Sequence, residues 1–203
     1  MPISNAITFP IPNDTFEVLI EKIADFDPYA NLSEIKPSID GMTEFFKNKK
    51  PKVSIAKELQ DPENEYRLRT TLTHEFGHAL LHEPEMANAS NILDLFPEIG
   101  NPQIKCKRES IGGVSKSDWK EYQAGYVCTS LLMPITYFKY FVLNFFKKEN
   151  AYAPLVMGSP IANRFLNQVS REFNVSKGAV KKRLSQLKYS YFLTDKEVQP
   201  SLF

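Results

Sequence analysis

The sequence predicts a mainly helical α+β protein with a small β-sheet and a helical C-terminal part. Two observations carry this reading. Apolar residues recur at i, i+3, i+4 and i+7 in several separate segments, while only one short run reads as a strand. Prolines and a glycine pair fall mainly between those segments, where they punctuate loops.

Taken in order, Asp14 to Asp25 places Phe16, Leu19, Ile20 and Ile23 on one face of a helix, opened by an Asp cap and closed before Pro28. Asn31 to Lys50 mixes short apolar pieces with Pro37 and Gly41 and reads as a short helix and a turn. The segment PKVSIAKEL from Pro51 reads as a strand. Pro62 suits a helix N-terminus, and Glu63 to Glu83 holds no breaker except Gly77, so a long helix is expected there, ended by Pro84. Asn88 to Ser117 carries Pro97, Pro102 and Gly112-Gly113 and reads as a long loop in which only ILDLF suggests an element; loops of this kind commonly form a lid or cleft wall. Ser117 and Asp118 can cap a helix from Trp119 to Met133. Pro134 restarts the chain into an aromatic helix of Tyr137, Phe138, Phe141, Val142 and Phe145, whose spacing fits core packing better than an exposed groove. After Gly158-Ser159-Pro160, helices are expected over Ile161 to Phe173 and Lys177 to Lys188.

The chain of 203 residues is long enough to bury a core, and its formal net charge of +1 argues against a surface built throughout for nucleic acid. Cys106 and Cys128 are too few for a disulfide scaffold and read as ordinary thiols. Met1 to Pro12 lacks a basic, then apolar, leader pattern. The most apolar window, Ile135 to Phe146, contains Lys139 and Asn144 and falls short of the roughly 20 residues a membrane span needs. No membrane association and cytoplasmic residence are therefore expected.

All 3 histidines fall between His74 and His82. His74, Glu75 and His78 form H-E-x-x-H within the long predicted helix. Residues i and i+4 share a helix face, so two imidazoles can bind one metal while the intervening Glu holds a water. The pentapeptide is weak alone; its position mid-helix after a strand strengthens it. His82 is a poor third ligand, because eight residues of helix separate it from His74 by roughly 12 Å. It reads as a supporting or core histidine. The third ligand should come from another helix, and Glu121, beside the small and uncharged Gln123, Ala124 and Gly125, is one candidate with Asp94, Glu98, Glu109 and Asp118.

The stretch Thr71 to His82 (T-L-x-H-E-x-G-H-x-L-L-H), followed by Glu121 to Pro134 (E-x-x-A-x-x-V-x-x-x-L-L-M-P), resembles the ImmA/IrrE family of zinc metallopeptidases. The resemblance covers Pro51 to Pro134 well and departs from the commoner pattern at Gln123, Gly125 and Val127, none of them a candidate ligand. It implies a zincin-like metallopeptidase domain over 1–150 with a helical appendage over 151–203 packed on it, and Glu121 as third zinc ligand beside His74 and His78. Zinc would lower the pKa of a bound water toward about 7, and Glu75 would act as the general base. The residue stabilising the oxyanion is not assigned; Tyr122, Tyr126, Arg108 and Lys116 are candidates more readily explained as structural or surface residues. The implied substrate is a specific intracellular protein, typically a helix-turn-helix transcriptional repressor of a mobile element or phage.

Competing readings are a DNA- or protein-binding regulator, or a toxin component, that retains the zinc site. Arg171 to Ser190 carries Arg171, Lys177, Lys181, Lys182, Arg183 and Lys188 against Glu172, in an outline resembling a helix-turn-helix with Val180, Leu184 and Leu187 inward. Packing or substrate docking explains this segment more simply than DNA contact. Cys106 as an inhibitory thiolate on the zinc is physically possible, and a buried or incidental thiol is the simpler reading; Cys128 reads as core.

Overall fold

The computed structural model describes residues 9–35, 38–46, 49–93, 103–107, 119–151, 155–187 and 192–193, with side chains described outside 84–93, 103–107 and 192–193. The fold is α+β and mainly helical, as the sequence predicts. It divides into two compact units, one built on Ile11–Cys128 and the other on the chain from Thr129 onward with Phe9 and Pro10.

In the first unit, α1 (Asn13–Ile23) buries Phe16 and Ile20. Its capping residue is Pro12, which makes no side-chain bond; Asp14 lies inside the first turn, where the helix dipole favours a negative charge. The N-terminal end is held by Arg69, whose Nη1 donates to the Ile11 carbonyl at 2.6 Å and to Asn13 Oδ1 at 3.1 Å. The chain then enters β1 (Asp25–Ala30). Pro28 lies where the pairing register shifts between Asp27 and Ala30, at the end of the sheet, a position that tolerates a missing N–H.

The short helix and turn expected between Asn31 and Lys50 are replaced in part by β2 (Ile39–Glu44). This strand is central and buried on both faces up to Thr43, so it shows no alternation, and its Asp, Gly and Glu have low strand propensity. Its pairing comes from elsewhere in the chain: antiparallel to β3 (Lys52–Ala56), the strand the sequence predicts, and antiparallel to β4 (Gln103–Lys107). With β1 parallel to β3, the sheet order is β1-β3-β2-β4. β4 lies in the stretch expected to be loop. The first residues of that stretch, Asn88 to Leu93, are helical instead of loop, and the remainder, including the ILDLF residues from Asp94 on, Ser117 and Asp118, lies outside the described residues.

Two 3-10 turns, Lys57–Gln60 and Pro62–Asn64, lead into α2 (Glu65–Leu93), so Pro62 opens a turn rather than the helix proper. The helix does not stop at Pro84. A proline deprives the carbonyl four residues earlier of its donor, and here that residue is Leu80, which is exposed, so water can take the donor's place. α2 packs on the sheet and on α1 around Ile20, Val53, Ile55 and Leu72, all fully buried. α3 (Trp119–Leu132) carries the last part of this unit and the first residues of the next.

The second unit contains α4 (Ile135–Lys148), α5 (Pro160–Glu172), α6 (Lys177–Gln186) and a two-stranded parallel pairing of β5 (Leu155–Val156) with β6 (Phe192–Leu193). Phe138, Val142 and Phe145 of the aromatic helix are buried, and Phe145 meets Phe165 edge-on with centroids 5.0 Å apart, so this face is core. Ser159 and Ser176 cap α5 and α6 by accepting from the Ala162 and Ala179 amides. Between these helices Asn174 adopts a left-handed conformation with φ 48°, the role a glycine would otherwise fill. Arg183, one of the basic residues of the C-terminal segment, is buried, whereas Lys177 and Lys181 are exposed. Among the described residues no single helix is long and apolar enough to cross a membrane.

Candidate metal centre

His74 and His78 stand one turn apart on α2, both buried, facing the first turn of α3 where Glu121 sits. Close approach of the two helices is what makes this meeting possible. A Cβ at Gly77 would lie 3.0 Å from both the Cα and the carbonyl oxygen of Ala124 and 3.2 Å from Val127 Cβ, so any larger residue there would push α3 away. The interface is closed further on by Cys128, whose thiol donates to the Thr70 carbonyl at 3.6 Å and accepts from Thr73 Oγ1 at 3.3 Å.

Three ligand-type side chains converge at the N-terminal end of this interface. His74 Nε2 lies 3.1 Å from Glu121 Oε2 and 3.1 Å from His78 Nε2, and His78 Nε2 lies 3.2 Å from Glu121 Oε1. Among the described residues this buried group could hold a metal ion. Asp94, Glu98, Glu109 and Asp118, the other acids considered as a third ligand, lie outside the described residues, as do Arg108 and Lys116. Burial by itself would raise the Glu121 carboxyl; the hydrogen bonds and charge of His74 and His78 outweigh it and hold the group well below the ordinary carboxylate range.

Glu75 is fully buried between the sheet and this group, close enough to His78, His74 and Glu121 to feel their charge. Thr43 of β2 donates to its Oε2 at 2.7 Å. The second oxygen, Oε1, has no hydrogen-bond partner among the described residues. Gly41, two residues earlier on β2, leaves room for this side chain: a Cβ there would come within 3.0 Å of Glu75 Cγ, 3.3 Å of Oε1 and 2.5 Å of the Thr71 methyl. Burial pushes the Glu75 carboxyl above its ordinary value, against the opposing pull of His78, His74 and the Thr43 hydroxyl.

His82 is buried behind His78 rather than beside the converging atoms: its Nδ1 lies 3.0 Å from His78 Nδ1 and its Nε2 3.2 Å from Gln123 Oε1. Tyr122 and Tyr126 are exposed, and Tyr122 stacks on Trp119 with centroids 5.3 Å apart. The side chain of Cys106 lies outside what is described, so its thiolate reading has no structural counterpart. Thr43 and Gly41 were not anticipated from the sequence, because β2 itself was not; no local signal marks a strand that is buried on both faces and paired at long range.

The model of one protein family, described as the IrrE N-terminal-like domain of the M78 peptidases, matches residues 58–185, a span that includes α2, α3 and every residue of the converging group. A search of curated proteins found no match.

Proposed function

Because the chain belongs to the IrrE N-terminal-like domain family of M78 peptidases, we propose that it is a zinc-dependent endopeptidase with His74, His78 and Glu121 as the metal ligands and Glu75 as the catalytic base. The observation that carries this reading is the convergence of two imidazole nitrogens, 3.1 Å apart, on one carboxylate, whose Oε2 lies 3.1 Å from His74 Nε2 and whose Oε1 lies 3.2 Å from His78 Nε2. Each of these separations is close to the roughly 3.3 Å between neighbouring ligands of a tetrahedral shell with bonds of about 2.0–2.1 Å. Two nitrogens and one oxygen suit zinc, and three protein ligands leave a fourth position for water, as catalytic zinc sites do.

Zinc, when bound, supplies a Lewis acid that polarises the scissile carbonyl and makes a water nucleophilic near neutral pH. The chain's own residues supply the proton chemistry. Thr43 holds Glu75 Oε2 in one orientation, and Oε1 is left to take the proton of the attacking water and return it to the leaving amine nitrogen. Among the described residues β4 ends the sheet next to the strand that carries Thr43, and a polypeptide substrate would align along it in extended form.

The substrate that fits the family resemblance is an intracellular helix-turn-helix repressor of a mobile element or phage, and the expected residence is cytoplasmic. The test is co-expression with such a repressor, best taken from the adjacent reading frame. Glu75→Gln should retain zinc stoichiometrically and lower cleavage by about 10²–10⁴-fold, and a chelator should stop cleavage by the unaltered chain. Cleavage by Glu75→Gln at an unchanged rate and at the same peptide bond would overturn the protease reading.

A further inference from the structure

We propose that Gln123 and His82 form a positioning relay that fixes the tautomer of His78 and thereby presents its Nε2 lone pair to the metal. The inference rests on the reading of His78 as a zinc ligand and adds two residues that no ligand set includes.

The argument is one of hydrogen-bond polarity. A neutral imidazole carries one N–H and one lone pair. The Nδ1 atoms of His78 and His82 are 3.0 Å apart, so one of them donates and the other accepts. His78 can offer Nε2 to a metal only with its proton on Nδ1; it is then the donor, and His82 Nδ1 the acceptor. His82 must in turn carry its own proton on Nε2, and that nitrogen lies 3.2 Å from Gln123 Oε1, an atom that only accepts. With His78 as a metal ligand, the chain of bonds therefore runs in one direction, from His78 to His82 to Gln123. The opposite polarity, with the Gln123 amide turned to donate through nitrogen, would put a proton on His78 Nε2 and remove the ligand.

Burial makes this choice matter. His78 and His82 are 0% and 1% exposed, so water cannot easily supply the alternative partner that would let either ring exchange tautomers. Position i+4 places His82 on the same face of α2 one turn beyond His78, and Gln123 reaches it from α3, the helix that also carries Glu121. The two helices are thus linked twice, once through the ligands and once through the relay. His74 differs: its Nδ1 has no hydrogen-bond partner among the described residues, so of the two histidine ligands only His78 is oriented by side chains behind it.

The experiment has two parts. In zinc-loaded chain, long-range ¹H–¹⁵N correlation spectra of the imidazoles should show His78 protonated at Nδ1 and His82 protonated at Nε2; a His82 protonated at Nδ1 overturns the relay, and no binding of zinc at all overturns the ligand reading on which it rests. Zinc affinity measured by chelator competition should fall about 10–100-fold in His82→Phe and in Gln123→Leu, and return to the level of the unaltered chain in Gln123→Glu, whose carboxylate keeps the acceptor. Gln123 is only partly buried, so its variants test the idea even where His82→Phe fails to fold. Unchanged zinc affinity in Gln123→Leu, or equal loss in the Leu and Glu variants, overturns the proposal.

Discussion

Arg183 in the second unit and His78 in the first are both buried polar side chains, and their surroundings differ in sign. Around Arg183 a donor faces acceptors: Nε donates to the Met133 carbonyl at 3.0 Å, and Nη1 donates to Ser130 Oγ at 2.7 Å. Gln186 Oε1, close to the same guanidinium, also accepts from Thr129 Oγ1 at 2.6 Å. Such a set pairs donors with acceptors, and its role is to join α6 to the end of α3. Around His78 Nε2 the neighbours are another imidazole nitrogen and a carboxylate, groups that converge with lone pairs of the same sign. That arrangement could hold a cation. Complementary polarity holds a structure together; convergent polarity prepares a site.

The contrast can be broken or sharpened by substitution. The largest effect is expected from Glu121→Ala. A site worth about 10–16 kcal/mol in total, shared among three protein ligands, should lose on the order of a thousandfold in zinc affinity, read by chelator competition; retained affinity would mean that convergence at Glu121 is incidental. Arg183→Leu should instead cost folding stability, about 2–4 kcal/mol, since acceptors at Met133 and Ser130 lose a charged donor. An unchanged denaturation midpoint would break the structural half of the comparison.

Thr43→Val tests the junction of the two kinds of polarity. It leaves the metal ligands intact and removes the donor to Glu75 Oε2. The expected result is kcat about tenfold lower at equal zinc content, with Thr43→Ser restoring it; equal rates for Val and Thr would remove the hydroxyl from the mechanism. The smallest effect is expected from Ser176→Ala, which deletes the cap accepting from the Ala179 amide. It should cost about 1 kcal/mol in the unfolding of the C-terminal helices and leave catalysis unchanged.

Legibility in the sequence followed the range of the interactions. Helices α1 to α6 are readable because their prolines and 3.6-residue periods, and most of their caps, are local, although α2 runs on past Pro84 where exposure makes the lost hydrogen bond tolerable. H-E-x-x-H was readable because i and i+4 share a face in any helix. Rejecting His82 as a ligand required only the helical rise, and the structure places it behind His78. Glu121 was only one of several acids by spacing and was singled out by family resemblance. β1, β2 and β4 escaped notice because their pairing is long-range, and with β2 went Thr43 and Gly41.

What the sequence determined by itself is the chemistry available: two imidazoles one turn apart, a carboxylate beside them, and a second motif in the order the family uses. Tertiary packing decided which groups meet. Gly77 against Ala124 sets the distance between α2 and α3 and so brings Glu121 to His74 and His78. The sheet brings Thr43 to one oxygen of Glu75, and Gln123 reaches His82 only because α3 lies alongside α2. A helix fixes the positions of its own side chains through local hydrogen bonds, whereas the distance between two helices depends on side-chain volumes at residues far apart in the chain, which no local pattern encodes.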